Sequence, residues 1–248
     1  MSRYFIELSY KGARYSGFQS QHNANTIQAE VEKALEILRK EKIVLIGSSR
    51  TDTGVHALKN YFHFDSVLPV DRREVTYKLN AILPEDIAIM DIIPVNDEAH
   101  CRFDAISREY RYFLYQQKNP FLKDRAFYFP YRLDLGKMQA AAQLLKEYSD
   151  FTSFSKRNTQ VKSFNCVITE SAWVQEGDCL VYHVRANRFL RGMVRALTAT
   201  MLKTGRSKLS LDEFRQIIEA KDCTRASFAV PAHGLFLIKV EYPAGYLV

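Results

Sequence analysis

No two cysteines in this chain stand at CxxC spacing. Its four cysteines, Cys101, Cys166, Cys179 and Cys223, are scattered. That argues against a zinc site or a dithiol redox motif and leaves reduced structural thiols. The six histidines show no metal-ligand spacing either, so neither a metal nor an organic cofactor is expected. No apolar run is long enough to span a bilayer. The opening stretch MSRYFIELSYKG alternates like a strand and lacks the apolar core of a signal peptide. The chain is therefore expected to stay in the cytoplasm, where it is made. A Gly/Ser linker, a low-complexity tract and a residue-level repeat are all missing.

What is present describes an ordinary globular chain. Its 248 residues, 47% hydrophobic and 25% charged, suffice for one large domain or two small ones with a sizeable core. The formal net charge of +7 favours a polyanionic partner, because phosphate contacts dominate nucleic-acid affinity. The 14 tyrosines and 16 phenylalanines add stacking surface for exposed bases, although most belong to the core.

One stretch concentrates chemistry. GSSRTDTGVHA, residues 47–57, packs Arg50, Asp52 and His56 between two strand-like apolar runs, Ile43–Ile46 and Tyr61–Phe64. Its glycines, serines and threonines are turn formers, so the charged pair is expected on a loop between strands. Two readings stand. Asp52 can simply cap a turn with Arg50 as a solvated partner, or the pair can be presented for chemistry on a braced loop.

Periodicity places the rest. Tyr4–Tyr10 alternates as a strand. The loop GARYSGFQSQ follows; its Arg14, Tyr15 and Phe18 either meet RNA or, for the two aromatics, pack. A helix is expected from about Thr26 to Lys40, capped by Asn25 or Thr26, with Ile27, Val31, Ala34, Leu35 and Leu38 inward. Asp71 opens a second helix to about Ala81, burying Val75, Leu79 and Ile82. Ile87–Ile93 reads as a buried strand. In the second half, Arg108–Gln116 alternates, with Glu109, Arg111, Phe113 and Tyr115 on one side and Tyr110, Tyr112 and Leu114 on the other. Residues 118–130 read as a loop. Asp134 caps a helix to about Tyr148 with Leu135, Met138, Ala142 and Leu145 inward. Residues 151–162 read as a basic loop. Strands Phe164–Gln175 and Cys179–Ala186 are joined by a Glu-Gly-Asp hairpin. Phe189–Lys203 reads as a helix with Gly205 as its C-cap. Ser210 and Glu213 form a capping box, and Gly234–Val240 closes the chain as a strand.

The expected fold is α+β. It has an extended, mainly antiparallel sheet built from two similar halves, 1–104 and 105–248, with helices on one face and a basic RNA-binding cleft on the other. Arg188, Arg191 and Arg195, three and four apart, are expected to share one helix face. That face is either a solvated basic surface or a site for phosphates or a buried carboxylate.

These segments together resemble the TruA family of tRNA pseudouridine synthases. GSSRTDTGVHA resembles its catalytic loop GRTDxGVHA. LSYKGARYSGFQSQ, LNAILPEDIAI, HCRFDAISREYRY, DFTSF, RANRFLRGMVR and GLFL resemble further family blocks in the same order. The resemblance spans nearly the whole chain. It implies that Asp52 is the catalytic aspartate and that Arg50 helps flip the target uridine and fills its place. It also implies that Tyr110 stacks on the base and acts in proton transfer, that Arg195 pairs with the aspartate, and that Leu235 lines the uracil pocket.

The residue types suit that chemistry. The N1–C1′ bond of uridine breaks, the uracil turns and a C5–C1′ bond forms. A carboxylate can attack C1′ or remove the 2′ proton, and both routes need it ionised, which a neighbouring guanidinium favours. A stacked uridine must first be extruded, at a cost of a few kcal/mol. Ser49, Thr53, Phe18 and Cys101 depart from the usual family residues without removing a proposed catalytic group. His56 is read as a histidine that fixes the loop by hydrogen bonds.

The resemblance further implies a homodimer acting on tRNA at positions 38, 39 and 40. Arg14, Lys123, Arg125, Lys156, Arg157 and Lys162 are the candidate RNA-facing cations, or else ordinary solvated surface. Rival readings are a non-catalytic RNA-binding or chaperone protein on the same fold and a synthase for a different RNA site. An aspartate-based hydrolase lacks a second acid or metal ligands at recognisable spacing.

Overall fold

The computed structural model describes residues 1–157 and 161–247. The fold is α+β, with a large, mainly antiparallel sheet of nine strands and, among the described residues, five α-helices. No helix of the described residues is long and apolar enough to cross a membrane. The chain divides into two compact units, Met1–Ser107 with Leu237–Val248, and Arg108–Phe236.

In the first unit, β1 (Ser2–Tyr10) lies between β3 (His56–Ser66) and β4 (Ile87–Val95), antiparallel to both. The two-residue β2 (Ile46–Gly47) pairs with β3 through Ile46–His63 and Gly47–Phe62. Helix α1 (Ile27–Arg39) begins at Thr26, whose side chain accepts the Ala29 N–H. Helix α2 (Arg72–Ile82) begins at Asp71, which accepts the Glu74 N–H. Each cap satisfies an amide that the first helical turn leaves unpaired. Phe5, Ile6, Leu8, Val31, Leu35, Phe62, Leu79 and Ile92 form the buried interior of this unit.

In the second unit, β5 (Ser107–Tyr115) pairs antiparallel with β8 (Cys179–Ala186), which pairs antiparallel with β7 (Ile168–Glu176). The hairpin turn is Gly177-Asp178, with Gly177 at φ +54°. A short β6 (Phe127–Tyr128) runs parallel to β5. Helices α3 (Leu135–Leu144), α4 (Met193–Gly205) and α5 (Leu211–Glu219) complete the unit. Ser210 and Glu213 make the full capping box at α5. The last strand, β9 (Leu235–Glu241), starts in this unit and ends in the first.

Several expectations are corrected. Ile43–Ile46 is not a strand: only Ile46 of that run is extended in β2. The backbone of Leu45 is taken by α1, because Glu32 accepts its N–H at 3.0 Å and Gln28 donates to its carbonyl at 2.8 Å. Phe164–Val167 is not part of β7. Its backbone bonds instead to Ser149, Phe151 and Asn187. Residues 118–130 hold a 3₁₀ turn, Pro120–Leu122, and β6. The helix after Asp134 stops at Leu144 and continues as a 3₁₀ turn, Leu145–Glu147. Ile82 and Leu135 are exposed rather than inward. Part of the expected basic loop, 158–160, lies outside the described residues.

Helix α4 starts at Met193, not Phe189, because Gly192 adopts φ +74° and interrupts the helical path. Arg188 and Arg191 therefore precede the helix, and only Arg195 lies on it, so the three do not share a helix face. Gly205 is the last helical residue rather than a C-cap. A Cβ there would come within 2.6 Å of the Met138 side chain, so its role is close packing of α4 on α3.

Candidate functional site

Arg50 and Asp52 stand on the loop between β2 and β3. Arg50 is exposed and Asp52 half-buried, while Ser48, Ser49, Thr51, Val55 and His56 around them are buried. The loop backbone is held residue by residue. The Asp52 carbonyl accepts the Val55 N–H at 3.1 Å across a turn whose Gly54 sits at φ +80°. Asn60, on β3, donates to the Ser49 carbonyl at 2.9 Å and to the Tyr10 hydroxyl at 3.1 Å. That hydroxyl meets Thr51 Oγ1 at 2.7 Å.

The segment after β1 lies against this loop. The Phe18 N–H donates to the Thr51 carbonyl at 3.1 Å, and the Gly12 N–H donates to His56 Nδ1 at 3.2 Å. His56 thus fixes the loop, as its sequence reading anticipates. Gly12 is required by contact: a Cβ would stand 1.9 Å from the Val55 carbonyl oxygen. Gly17, at φ +102°, occupies a region that side chains disfavour. Tyr15 and Phe18 are 2% and 1% exposed, which settles their two readings in favour of packing. Phe18 stacks on Phe62 with centroids 4.4 Å apart. These constraints leave Asp52 on a backbone with little freedom, the condition a reacting group needs.

Tyr110, Arg195 and Leu235 belong to the second unit, where the segment that runs into Leu235 bonds Arg195 and Tyr112. Arg195 Nε and Nη2 both donate to the Val230 carbonyl, at 3.1 and 2.7 Å. Tyr112, two residues along β5 from Tyr110, donates to the Pro231 carbonyl at 2.8 Å. Gly234 packs so closely that a Cβ would be 2.8 Å from the Tyr112 ring. Leu235 follows, 6% exposed. The Tyr110 ring stands edge-on to Phe189 at 5.1 Å. Burial raises the Tyr112 phenol well above its usual range, so it stays a proton donor to Pro231.

Of the candidate RNA-facing cations, Arg14 belongs to the first unit and the others to the second. Arg14 is 66% exposed and 3.5 Å from Asp86. Lys123, Arg125, Arg157 and Lys162 are exposed, and Lys156 is half-buried beside Gly192. Arg125 Nε also donates to the Phe121 carbonyl at 2.9 Å. All four cysteines are free thiols. Among the described residues no group of three His, Cys, Asp or Glu could hold a metal ion.

Sequence reasoning passed over Asn60, Thr51 and Tyr10 as supports of the loop. Their bonds join residues up to 50 positions apart, which local pattern does not reveal. The glycines of GARYSG were the only local signal.

The profile of the tRNA pseudouridine synthase family matches residues 8–104 and 141–243. The chain is 48% identical over 244 residues to the tRNA pseudouridine synthase A of Parabacteroides distasonis, covering 98% of this chain and 97% of that one. It is 45% identical over 249 residues to the protein of the same name from Porphyromonas gingivalis, covering 98% of each. With the Bacillus subtilis protein of that name it shares 41% over 239 residues, covering 95% of this chain and 97% of that one. Matched across both of its units and along nearly its full length, this chain belongs to the tRNA pseudouridine synthase family.

Proposed function

We propose that this protein isomerises uridine to pseudouridine at positions 38, 39 and 40 in the anticodon stem-loop of tRNA, with Asp52 as the reacting carboxylate. The observation that carries this reading is the placement of Asp52 on the family's catalytic-loop sequence, between Ser49 and Thr51, whose carbonyls accept from Asn60 and Phe18, and His56, whose ring accepts from Gly12. The names of the relatives support tRNA as the substrate.

The target uridine leaves the stack, and Arg50, long and exposed, takes its place. Asp52 then either attacks C1′, so that a C–O bond forms as the N1–C1′ bond breaks, or removes the 2′ proton so that the N1–C1′ bond breaks by elimination. The released uracil turns and C5 bonds to C1′. In the first route this expels the carboxylate, and in the second the 2′ proton returns. Loss of the C5 proton, with Tyr110 in reach of the base, gives the product. Arg195 pairs with the Asp52 carboxylate and favours its ionised form, and Leu235 walls the uracil. Residues 1–104 supply the reacting loop and residues 105–248 the pocket residues. The chain acts as a cytoplasmic homodimer in which one tRNA contacts both subunits across a basic cleft that includes Arg14, Lys123, Arg125, Lys156, Arg157 and Lys162.

The test is carbodiimide-adduct primer extension on an unmodified tRNA transcript with uridines at 38, 39 and 40, using wild type and Asp52→Ala side by side. New stops at those positions with wild type alone, and equal tRNA binding by both proteins, are expected. Stops elsewhere would make it a synthase for another site. Binding without stops would favour the non-catalytic RNA-binding reading.

A further inference from the structure

The block LNAILPEDIAI resembles the family but receives no role in the reaction. Within it, Asp86 touches the segment that supports the Asp52 loop. The Tyr15 hydroxyl donates to Asp86 Oδ1 at 2.5 Å. The Lys11 N–H donates to the Asp86 carbonyl at 2.9 Å. Arg14 Nη1 lies 3.5 Å from Asp86 Oδ2, a weaker tie because Arg14 is mostly in solvent. The Asp86 side chain is itself 8% exposed.

Asp86 therefore grips the segment after β1 at Lys11 and at Tyr15. Between those grips sits Gly12, which donates to His56 and packs on Val55. Just beyond them sits Phe18, which donates to Thr51. The two contacts fall on either side of Asp52. We propose that Asp86, acting through Tyr15, is a positioning residue that holds the Asp52 loop in its reactive geometry; this rests on the reading of Asp52 as the reacting carboxylate. Burial first, and then the Asp86 carboxylate, push the Tyr15 phenol far above its usual range. Its proton therefore stays in place and the contact keeps one polarity across the working pH range.

A hydrogen bond buried this far from solvent restricts the segment more than an exposed ion pair would. Misplacement of a reacting group by about 1 Å costs on the order of 100-fold in rate. Loss of the phenol–carboxylate bond is therefore expected to act on turnover rather than on RNA affinity.

The experiment compares wild type, Tyr15→Phe, Asp86→Ala and Asp86→Asn in the full-length protein. In Tyr15→Phe and Asp86→Ala, kcat should fall about 10- to 100-fold with KM for tRNA changed by less than about twofold. Asp86→Asn keeps an acceptor for the phenol and should recover most of the loss. The Val55 and Phe18 amides should exchange with solvent deuterium about tenfold faster in Tyr15→Phe, while β8 amides keep their wild-type rates. Wild-type kcat and exchange in Tyr15→Phe would overturn the assignment, as would a rise in KM with kcat unchanged. If Asp86→Ala does not fold, Tyr15→Phe decides alone. If the wild type proves inactive on tRNA, the reading of Asp52 fails, and the exchange rates still decide whether Asp86 holds the loop.

Discussion

Asn80 brackets Ile89. Its Nδ2 donates to the Ile89 carbonyl at 2.8 Å, and its Oδ1 accepts the Ile89 N–H at 2.7 Å. One side chain on α2 thereby occupies both backbone groups of a residue in β4, a strand that pairs on its other side with β1. An edge strand with open N–H and C=O groups invites pairing with another chain. Asn80 covers that edge and ties α2 to the sheet in the same contact.

Asn80→Ala removes both bonds and leaves two strand groups without their protein partner. A loss of about 1–3 kcal/mol is expected, read as a lower midpoint in urea with an unchanged slope. A midpoint equal to that of wild type would mean that water replaces the bracket at no cost.

Gly12→Ala directs a methyl at the Val55 carbonyl, where only 1.9 Å is available. The obstacle is backbone, so the loop itself must move. A destabilisation of about 1–3 kcal/mol is expected, together with a fall in kcat larger than any change in KM. Wild-type stability and turnover would show that the two segments separate freely.

His63 sets a pH dependence. Burial, then the charges of His100 and Arg3, lower its pKa from 6.5 to about 4, while Asp65 and Asp104 act weakly the other way. Geometry gives the same direction. Nδ1 accepts the Cys101 N–H at 3.3 Å and lies 3.2 Å from Cys101 Sγ, which itself donates to the Ile46 carbonyl. A proton on Nδ1 would face the Cys101 N–H. Between pH 6.5 and 4 the unfolded chain thus binds a proton that the folded chain refuses. The stability due to neutral His63 is complete above pH 6.5 and is lost as pH falls toward 4, by up to about 3 kcal/mol. His100, also lowered chiefly by burial, adds to the trend. Melting temperatures measured across this range should fall less steeply for His63→Gln than for wild type. Parallel curves would exclude His63 as the source.

Arg195→Lys tests the guanidinium. Arg195 reaches the Val230 carbonyl through two nitrogens of one rigid plane, whereas an ammonium is a single point on a flexible stem. A loss of about 10- to 100-fold in kcat is expected, with the melting temperature within a few degrees of wild type. Full activity in Arg195→Lys would reduce the requirement to charge alone.

Much of this architecture was legible from local pattern. Asp71, Asp134 and Ser210 cap the helices they were expected to cap, and Thr26 is the cap of the two candidates Asn25 and Thr26, because a cap bonds residues three positions apart. The alternation of Tyr4–Tyr10 and Arg108–Gln116 reads as strand for the same local reason, and the strands found there are Ser2–Tyr10 and Ser107–Tyr115. Arg50 and Asp52 were recognisable, and their place on a loop between strands followed from the turn formers around them. At two places where local pattern misled or left a choice open, a distant group had intervened. Ile43–Leu45 has the composition of a strand, yet Gln28 and Glu32 take the backbone of Leu45. Tyr15 and Phe18 suit an RNA surface as well as a core, and packing placed them in the core.

The sequence by itself determined the helix starts at Asp71, Asp134 and Ser210, the period of the long strands and the residue types suited to the proposed reaction, since these depend on neighbours a few positions away. Only the tertiary structure decided what supports Asp52. Gly12 meets His56 across 44 residues and Tyr15 meets Asp86 across 71. Contacts of that span depend on the path of the whole chain, and no local pattern encodes them.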